Sequence, residues 1–463
     1  MDHTVTHTKG VAVTNTKYQV HTFGCKVNTY DAGLIQKNLN ANGFAPVVRG
    51  DKDARIHVLN TCAVTAEATK EAVRYIRRLK VKDPFCTIVV TGCAAQVDTG
   101  SFSNLPGADL IVANSHKGSL PDLLNKHFRG ELTEKVFKSN IFKKEDLEMG
   151  GGVEKHHTRT FLKIQDGCNS FCTYCIIPYA RGKSRSIAIA DLVQRINDLY
   201  ADGSREVVLT GVHIGDYEDE INGKKMVMED LIENLLARTK MPRFRLSSLE
   251  PVEVSERLLD LYKDPRLCPH FHMSIQSANT DVLFHMKRKY TQEDVKKSLI
   301  AISERVPNSF VGMDVITGFP TETEEQFQDT YETLKALPWT KLHVFPYSER
   351  SGTRAAAMEV SVYPHVRAER AAKLRELSIA RYEEQAKLQI GTIKKVLVLK
   401  NAAKGGQGLS HDYWPVSIAG AESFVDHWAG QEVDVQITGY DHSNKAHMEG
   451  HLIGEILADE VLT

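Results

Sequence analysis

The sequence has no run of eighteen apolar residues, whereas a bilayer-crossing helix needs about twenty, so no membrane span is expected. It has almost no net charge, -1 with histidines neutral, so no global basic field marks a polyanion binder. Contacts with nucleic acid would have to come from local patches. The opening stretch MDHTVTHTKGVAVTNTKYQV lacks the apolar core of a secretory signal, and the expected location is the cytoplasm. Cysteine is scarce: eight in 463 residues, none after Cys268, which excludes a disulfide scaffold. In a reducing compartment such thiols are core residues, metal ligands or catalytic groups. Segment 391–463 contains no arginine and sets five lysines against ten acidic residues, a net of -5. Lys394, Lys395, Lys400 and Lys404 crowd one end of it, leaving one basic edge.

What is present is a soluble globular composition, 42% hydrophobic and 25% charged, over a length that implies two to four domains. Residues 17–145 alternate strand-like and helix-like stretches: YQVHTFGC, IHVLNTC, FCTIVVTGC and ADLIVANSH as strands, YDAGLIQKNLNANG and AEATKEAVRYIRRLK as helices. This rhythm predicts an N-terminal parallel α/β domain over 1–145. Cys25, Cys62 and Cys93 all fall at or just past strand C-termini, the edge where open α/β sheets bind ligands. The charged, Gly-rich stretch over 146–157 reads as a linker.

A second α/β run spans 158–390, with six strands, TFLKIQDG, REVVLTGV, RFRLSSLE, HFHMSIQS, SFVGMDVITGFP and KLHVFPYS. It predicts a partial (β/α)6 TIM-like barrel, with chemistry at the strand C-terminal ends. A long helix is expected from Pro364 to Gly391. Short strands KKVLVLK, YWPVSIAG, QEVDVQITGYD and HLIGEIL then predict a small all-β barrel over 391–463.

DGCNSFCTYC, residues 166–175, immediately follows the first strand of the central run and spaces three cysteines C-x3-C-x2-C. Zinc sites generally pair such a group with a second Cys or His pair, and ferredoxin clusters take four cysteines. Neither a second pair nor a fourth cysteine follows; His156 and His157 are adjacent linker histidines and read as solvated. A cluster on three cysteines leaves one iron open, as a catalytic metal requires.

These residues resemble the defining motif of the radical S-adenosylmethionine (SAM) enzymes. In that family a [4Fe–4S] cluster binds SAM at its open iron and cleaves it to a 5′-deoxyadenosyl radical. TFGCKVNTYDAG, NTCAVTAEATKEA and VTGCAAQ further resemble the three cysteine motifs of the methylthiotransferases, and the C-terminal barrel is similar to their TRAM module. GCKVNTYDAG, NTCAVTAEAT, LTGVHIGDY and RLSSLEPVE look most like the branch acting on N6-threonylcarbamoyladenosine beside the tRNA anticodon, at position 37. They look less like the branches acting on isopentenyladenosine or on a ribosomal-protein aspartate. The resemblance implies that Cys168, Cys172 and Cys175 hold the SAM-cleaving cluster and that Cys25, Cys62 and Cys93 hold a second [4Fe–4S] cluster. It places Tyr174 near the adenine, and Thr210, Gly211, Glu250, Gln276 and Gly318 near SAM. Val212 stands where the family has an acid for the SAM amine, so that contact falls to backbone. It implies tRNA as partner, an external electron donor such as flavodoxin or ferredoxin, and a monomer.

Other residues carry plainer readings. Cys86 and Cys268 read as buried core thiols. Lys70, Arg74, Arg77, Arg78 and Lys80 lie on one helix, and Arg181, Lys183 and Arg185 follow the cysteine cluster; each group is either a solvated face or a phosphate contact. MKRKY, Lys287 to Lys289, is a weaker candidate of that kind. The competing class is a non-catalytic RNA-binding protein with structural metal sites.

Overall fold

The computed structural model describes residues 15–48, 54–144, 147, 158–399, 406–419, 428–442 and 450–457. His156, His157, Lys400, Lys404 and most of the expected linker lie outside the described residues. The chain divides into two compact units. The first joins Met1–Val153 to Asp166–Asn169 and Cys175–Lys183; the second joins Glu154–Gln165, Ser170–Tyr174 and Ser184–Thr463.

In the first unit, β1 (Lys17–Thr22), β2 (Ala45–Pro46), β3 (Ile56–Thr61), β4 (Thr87–Gly92), β5 (Leu110–Ala113) and β6 (Val136–Phe137) form a parallel sheet in the order β2-β1-β3-β4-β5-β6. IHVLNT and TIVVTG are buried along their whole length, as parallel strands covered on both faces must be. Helices α1 (Lys26–Ala41), α2 (Ala66–Lys82), α3 (Cys93–Val97) and α4 (Leu120–Phe128) supply the cover. Leu59, Ile88, Val90 and Ile111 pack in one core, Val58, Val89, Leu110 and Val112 in another, each side chain contributing about 1.5–3 kcal/mol. The four expected strands are present. The two-residue edge pieces β2 and β6 are too short to show a period in sequence. Helix α1 starts at Lys26, earlier than the apolar pattern suggests, and Gly43, at φ +86, turns the chain beyond it.

The second unit contains all six expected strands, β7 (Arg159–Lys163), β8 (Glu206–Thr210), β9 (Arg243–Leu246) with β10 (Ser248–Leu249), β11 (His270–Gln276), β12 (Phe310–Thr317) and β13 (Lys341–Pro346). The third, RFRLSSLE, breaks at Ser247. Its first half pairs with β8 and its second with β11, giving parallel sheets β9-β8-β7 and β10-β11-β12-β13. Helices α6 (Ile189–Ala201), α7 (Met228–Arg238), α8 (Gln292–Arg305) and α9 (Glu324–Ala336) alternate with them, and α10 (Pro364–Lys387) follows. A hairpin absent from the expectation, Asp219–Ile221 with Lys224–Met226, turns at Asn222-Gly223, both with positive φ.

The C-terminal strands β14 (Ile393–Val398), β15 (Gln407–Ser410), β16 (Pro415–Ile418), β17 (Glu432–Asp441) and β18 (His451–Ile456) close a barrel in the order β14-β15-β16-β18-β17. Four of the five are legible in sequence. QGLS is not, because Gln, Gly and Ser have little strand preference; Gly408 is needed there because a Cβ would lie 2.3 Å from Val396.

Within the second unit this barrel is tied to the central strands by buried charge. Arg243, 1% exposed, donates to Glu206 and Glu432, both at 2.9 Å, and to the carbonyls of Leu409 and Ser410. Arg245 and Arg159 also donate to Glu206. Burial alone would raise the Glu206 carboxyl, but three guanidiniums hold it well below the usual range. The expected basic edge is diminished: Lys394 is paired with Asp412 and Lys395 lies 3.4 Å from Asp434.

Candidate functional site

The first unit gathers three cysteines at one sheet edge. Cys25 caps the N-terminus of α1, Cys62 follows β3, and Cys93 opens α3 directly after β4. Since β1, β3 and β4 are consecutive in the sheet, all three residues emerge side by side. Two glycines make the approach possible. Gly24, at φ +94, would place a Cβ 2.7 Å from the Cys62 Sγ, and Gly92, at φ +93, would place one 2.4 Å from the Thr61 carbonyl oxygen. Asn28, fully buried, donates to the carbonyls of Phe23 and Thr61, the loops preceding Cys25 and Cys62. Asn114 donates to Ala180 at 2.9 Å and lies 3.7 Å from the Cys93 Sγ. Burial pushes the Cys62 thiol up to about 11, with Cys93 and Cys25 adding to the rise. Three converging soft donors, one of them reluctant to ionise without a metal, fit an iron–sulfur cluster.

Asp166–Asn169 and Cys175–Lys183 belong to this same unit. Here a sequence expectation is corrected. Arg181, at the end of α5 (Ile177–Arg181), is 3% exposed, and its guanidinium is engaged by Asp166 at 3.0 Å, Asn28 at 2.6 Å and Asp31 at 3.0 Å. Buried and paired, it offers nothing to an RNA phosphate. Lys183 is exposed and Arg185 partly buried. On α2, Lys70, Arg77 and Arg78 are exposed, Arg74 is paired with Glu67, and Lys80 is turned inward to the Cys86 carbonyl and Asp109. Cys86 and Cys268 are 1% and 0% exposed, as core thiols are.

In the second unit, Cys172 is buried and follows Phe171, a non-glycine residue held at φ +48. The segment is pinned at Thr173, whose amide and hydroxyl donate to the carbonyls of Met286 and His285 and whose carbonyl accepts from Ala355. Tyr174 packs against the cluster formed by Val282, Met286, Phe319, Tyr347 and Ala355. Arg288 was the most informative residue missed in sequence, read there only as part of a weak basic run. It places Nη1 3.0 Å from the Cys172 Sγ and Nη2 3.0 Å from both the Glu250 carboxylate and the Ser274 carbonyl; its Nε donates to Tyr290.

Glu250 follows β10 and is 9% exposed. Burial raises its carboxyl, opposed by Arg288 and His213. His213 Nε2 lies 2.5 Å from Glu253 and 3.3 Å from Glu250. The backbone after β8, expected to face ligand, is already engaged: the amides of Val212 and His213 both donate to the Gln165 side-chain oxygen at 3.0 Å, and Thr210 accepts from Ile164. Gln165, fully buried, carried no sequence signal. A Cβ on Gly211 would meet the same Gln165 oxygen at 2.8 Å. Gln276 ends β11 at φ +60, a strained position for glutamine. Gly318 lies at φ +68, where a Cβ would be 2.3 Å from Arg367 Cγ, and its amide donates to Glu322 at 2.7 Å.

Among proteins of known family, residues 162–334 match the radical SAM superfamily, and residues 17–113 match a group described as Uncharacterized protein family UPF0004. A relative from Aquifex aeolicus, named threonylcarbamoyladenosine tRNA methylthiotransferase MtaB, is 35% identical over 83% of this chain and 93% of its own length. One of the same name from Bacillus subtilis is 34% identical over 95% and 97%. A Staphylococcus epidermidis protein named tRNA-2-methylthio-N(6)-dimethylallyladenosine synthase is 30% identical over 82% and 74%. Among solved structures, the radical S-adenosylmethionine methyltransferase TsrM from Kitasatospora setae shares the fold, with a TM-score of 0.53 and 15% identity over 85% of this chain and 82% of that one. With its motifs, parallel sheets and closed C-terminal barrel, the chain belongs to the MtaB-type radical SAM methylthiotransferases.

Proposed function

We propose that this enzyme inserts a methylthio group at C2 of N6-threonylcarbamoyladenosine at position 37 of tRNA, in the cytoplasm, working as a monomer with an external electron donor such as flavodoxin or ferredoxin. The observation that supports this most is the second cysteine trio. Cys25, Cys62 and Cys93 converge on one sheet edge in addition to the C-x3-C-x2-C loop, as two-cluster sulfur insertion requires.

Cys168, Cys172 and Cys175 would hold one [4Fe–4S] cluster, with SAM as its further ligand, and the other trio a second. Bound there, these groups supply a carbon radical able to attack the adenine C2–H, which is too inert for acid–base catalysis, and sulfur for the new bond. The chain's own residues position and shield. Arg288 holds the Cys172 sulfur and Glu250 in one fork. Glu250, a buried carboxylate beside it, is suited to the SAM amine in place of the acid that Val212 replaces. Tyr174 offers a ring for adenine stacking, and Gln276 a side chain at the same strand edge. Gly318 and the turn at Thr210-Gly211 would contribute wall rather than hydrogen bonds. Arg77 and Arg78 on α2 and Lys183 would meet phosphates.

The threonylcarbamoyl substrate is favoured over isopentenyladenosine because relatives named for it reach 34–35% identity, against 30% for the other. Nucleoside analysis of tRNA from a strain lacking the protein tests the assignment. Disappearance of 2-methylthio-N6-threonylcarbamoyladenosine supports it; an unchanged level with loss of the isopentenyl product assigns the other substrate. Zinc in the anaerobically purified protein would favour a structural-metal RNA binder.

A further inference from the structure

Arg181, which the sequence offers as a solvated or phosphate-contacting residue, does something else. Arg181 lies six positions after Cys175, in the unit that holds Cys25, Cys62 and Cys93. Its guanidinium joins three chain segments. Asp166 precedes Cys168 by two residues, and both its oxygens accept from Nη1, at 3.0 and 3.1 Å. Asn28 and Asp31 follow Cys25 by three and six positions on α1 and accept from Nη2 at 2.6 and 3.0 Å. Lys117, partly buried with 10% of its side chain exposed, lies 3.0 Å from the same Asp31 oxygen. The Asn28 that receives Arg181 also holds the loops before Cys25 and Cys62, and Ala180, the preceding residue, accepts from the Asn114 that approaches Cys93.

A structural reason alone does not account for the chemistry used. A buried guanidinium, a partly buried ammonium and two buried carboxylates carry a desolvation cost that an apolar contact of the same size would avoid. Their position matters instead. The guanidinium and ammonium stand in the electrostatic field of the cysteines: Cys93 and Cys25 act on Arg181, and Cys93 acts on Lys117. A cluster on three thiolates, two of them buried and Cys25 exposed, is an anion, and reduction adds another negative charge to it. The nearest buried fixed charges, little screened by water, help set how readily that electron is accepted.

We propose that Arg181, balanced by Asp31, is a positioning and charge-compensating residue of the second, Cys25–Cys62–Cys93 cluster, setting its reduction potential and tying it to the flanks of the SAM-cluster loop. The proposal rests on the two-cluster reading above.

The test uses the full chain with Cys168, Cys172 and Cys175 all replaced by Ala, so that only the second cluster remains, reconstituted and titrated with electron paramagnetic resonance as readout. Arg181→Gln is expected to shift its potential to more negative values and Asp31→Asn to more positive ones, while Arg181→Lys stays nearer the parent than Arg181→Gln. Arg129→Gln, an exposed residue paired with Glu131, is the control. Opposite shifts cannot come from simple loosening of the site. Unchanged potentials, or shifts of the same sign in Arg181→Gln and Asp31→Asn, would overturn the proposal. If Arg181→Gln loses its iron, Asp31→Asn decides: a more positive potential supports the proposal, and an unchanged or more negative one overturns it. A parent that binds no iron refutes the second cluster itself rather than the role of Arg181.

Discussion

Arg288 donates to the Cys172 sulfur at 3.0 Å while its other terminal nitrogen grips Glu250 at the same distance. One guanidinium thus connects a cysteine of the motif loop with a buried carboxylate from the far side of a strand break. Removing it leaves Glu250 buried with its main counter-charge gone. Arg288→Met is expected to cost about 1.5–3 kcal/mol of site organisation, roughly a 10- to 100-fold loss in SAM cleavage. Arg288→Lys should recover part of this. Measuring 5′-deoxyadenosine release without tRNA checks it; unaltered release in Arg288→Met would show the contact to be incidental.

The two cysteine trios should fail differently. Cys168→Ala is expected to abolish SAM cleavage, whereas Cys62→Ala should keep some cleavage and yield no methylthio product. Deoxyadenosine and modified nucleoside, quantified in the same reaction, separate the two. Equal loss of both activities in both variants would contradict distinct roles.

Gly92 is a backbone requirement. At φ +93 and ψ -165, a region essentially confined to glycine, an alanine is strained by about 1–3 kcal/mol before its Cβ meets the Thr61 carbonyl oxygen 2.4 Å away. Gly92→Ala should lower the thermal midpoint and halve the iron bound per chain, since Cys93 is the next residue. Full iron content with an unchanged midpoint would show that the loop adapts.

Stability of the first unit should fall on acidification through the histidine range. His21 is pushed down to about 4 by burial, with His57, 3.0 Å away, adding to the effect. Its folded value lies below the ordinary 6.5, so the unfolded chain takes up the proton first. The stability is therefore complete above about 6.5 and is lost as pH drops toward 4, by up to about 3 kcal/mol. Denaturant midpoints at pH 7.5 and 5 read this out, and His21→Phe should flatten the dependence. An equally steep profile in the variant would assign it elsewhere.

If α2 meets tRNA, replacing Arg77 and Arg78 with Gln should weaken binding about equally for all tRNAs and lower the salt slope by about two. The same pair of changes should leave SAM cleavage intact. An unaltered salt slope would move the RNA surface off this helix.

The sequence carried those parts of the protein that repeat or are chemically rare. Strands such as TIVVTG announce themselves because they are apolar throughout, and three cysteines at strand ends converge in any parallel sheet of the right order. Long-range polar contacts are another matter. Gln165 occupies the amides of Val212 and His213 from some 47 positions away, and Arg181 reaches Asp31 across 150. Nothing near a buried Gln or Arg in sequence distinguishes it from a solvated one. That is why the sequence marks Arg181 as a surface residue and Arg288 only as one member of the basic run MKRKY. Strand QGLS was invisible for a third reason: closure of the barrel, not local preference, makes it a strand.

The arginine at position 243 has one further meaning. Among the described residues its Nη2 donates to the carbonyls of Leu409 and Ser410 and its Nη1 to Glu432, while its Nε serves Glu206. Cutting the chain at residue 390 would therefore take Leu409, Ser410 and Glu432 away from Arg243, leaving it Glu206 alone of these four partners, and strip Phe310 and Tyr382 of the aromatic partner Trp414. The C-terminal barrel is not a detachable accessory that evolution or an engineer could exchange freely; any replacement must bring two inward carbonyls and an acid to the same place.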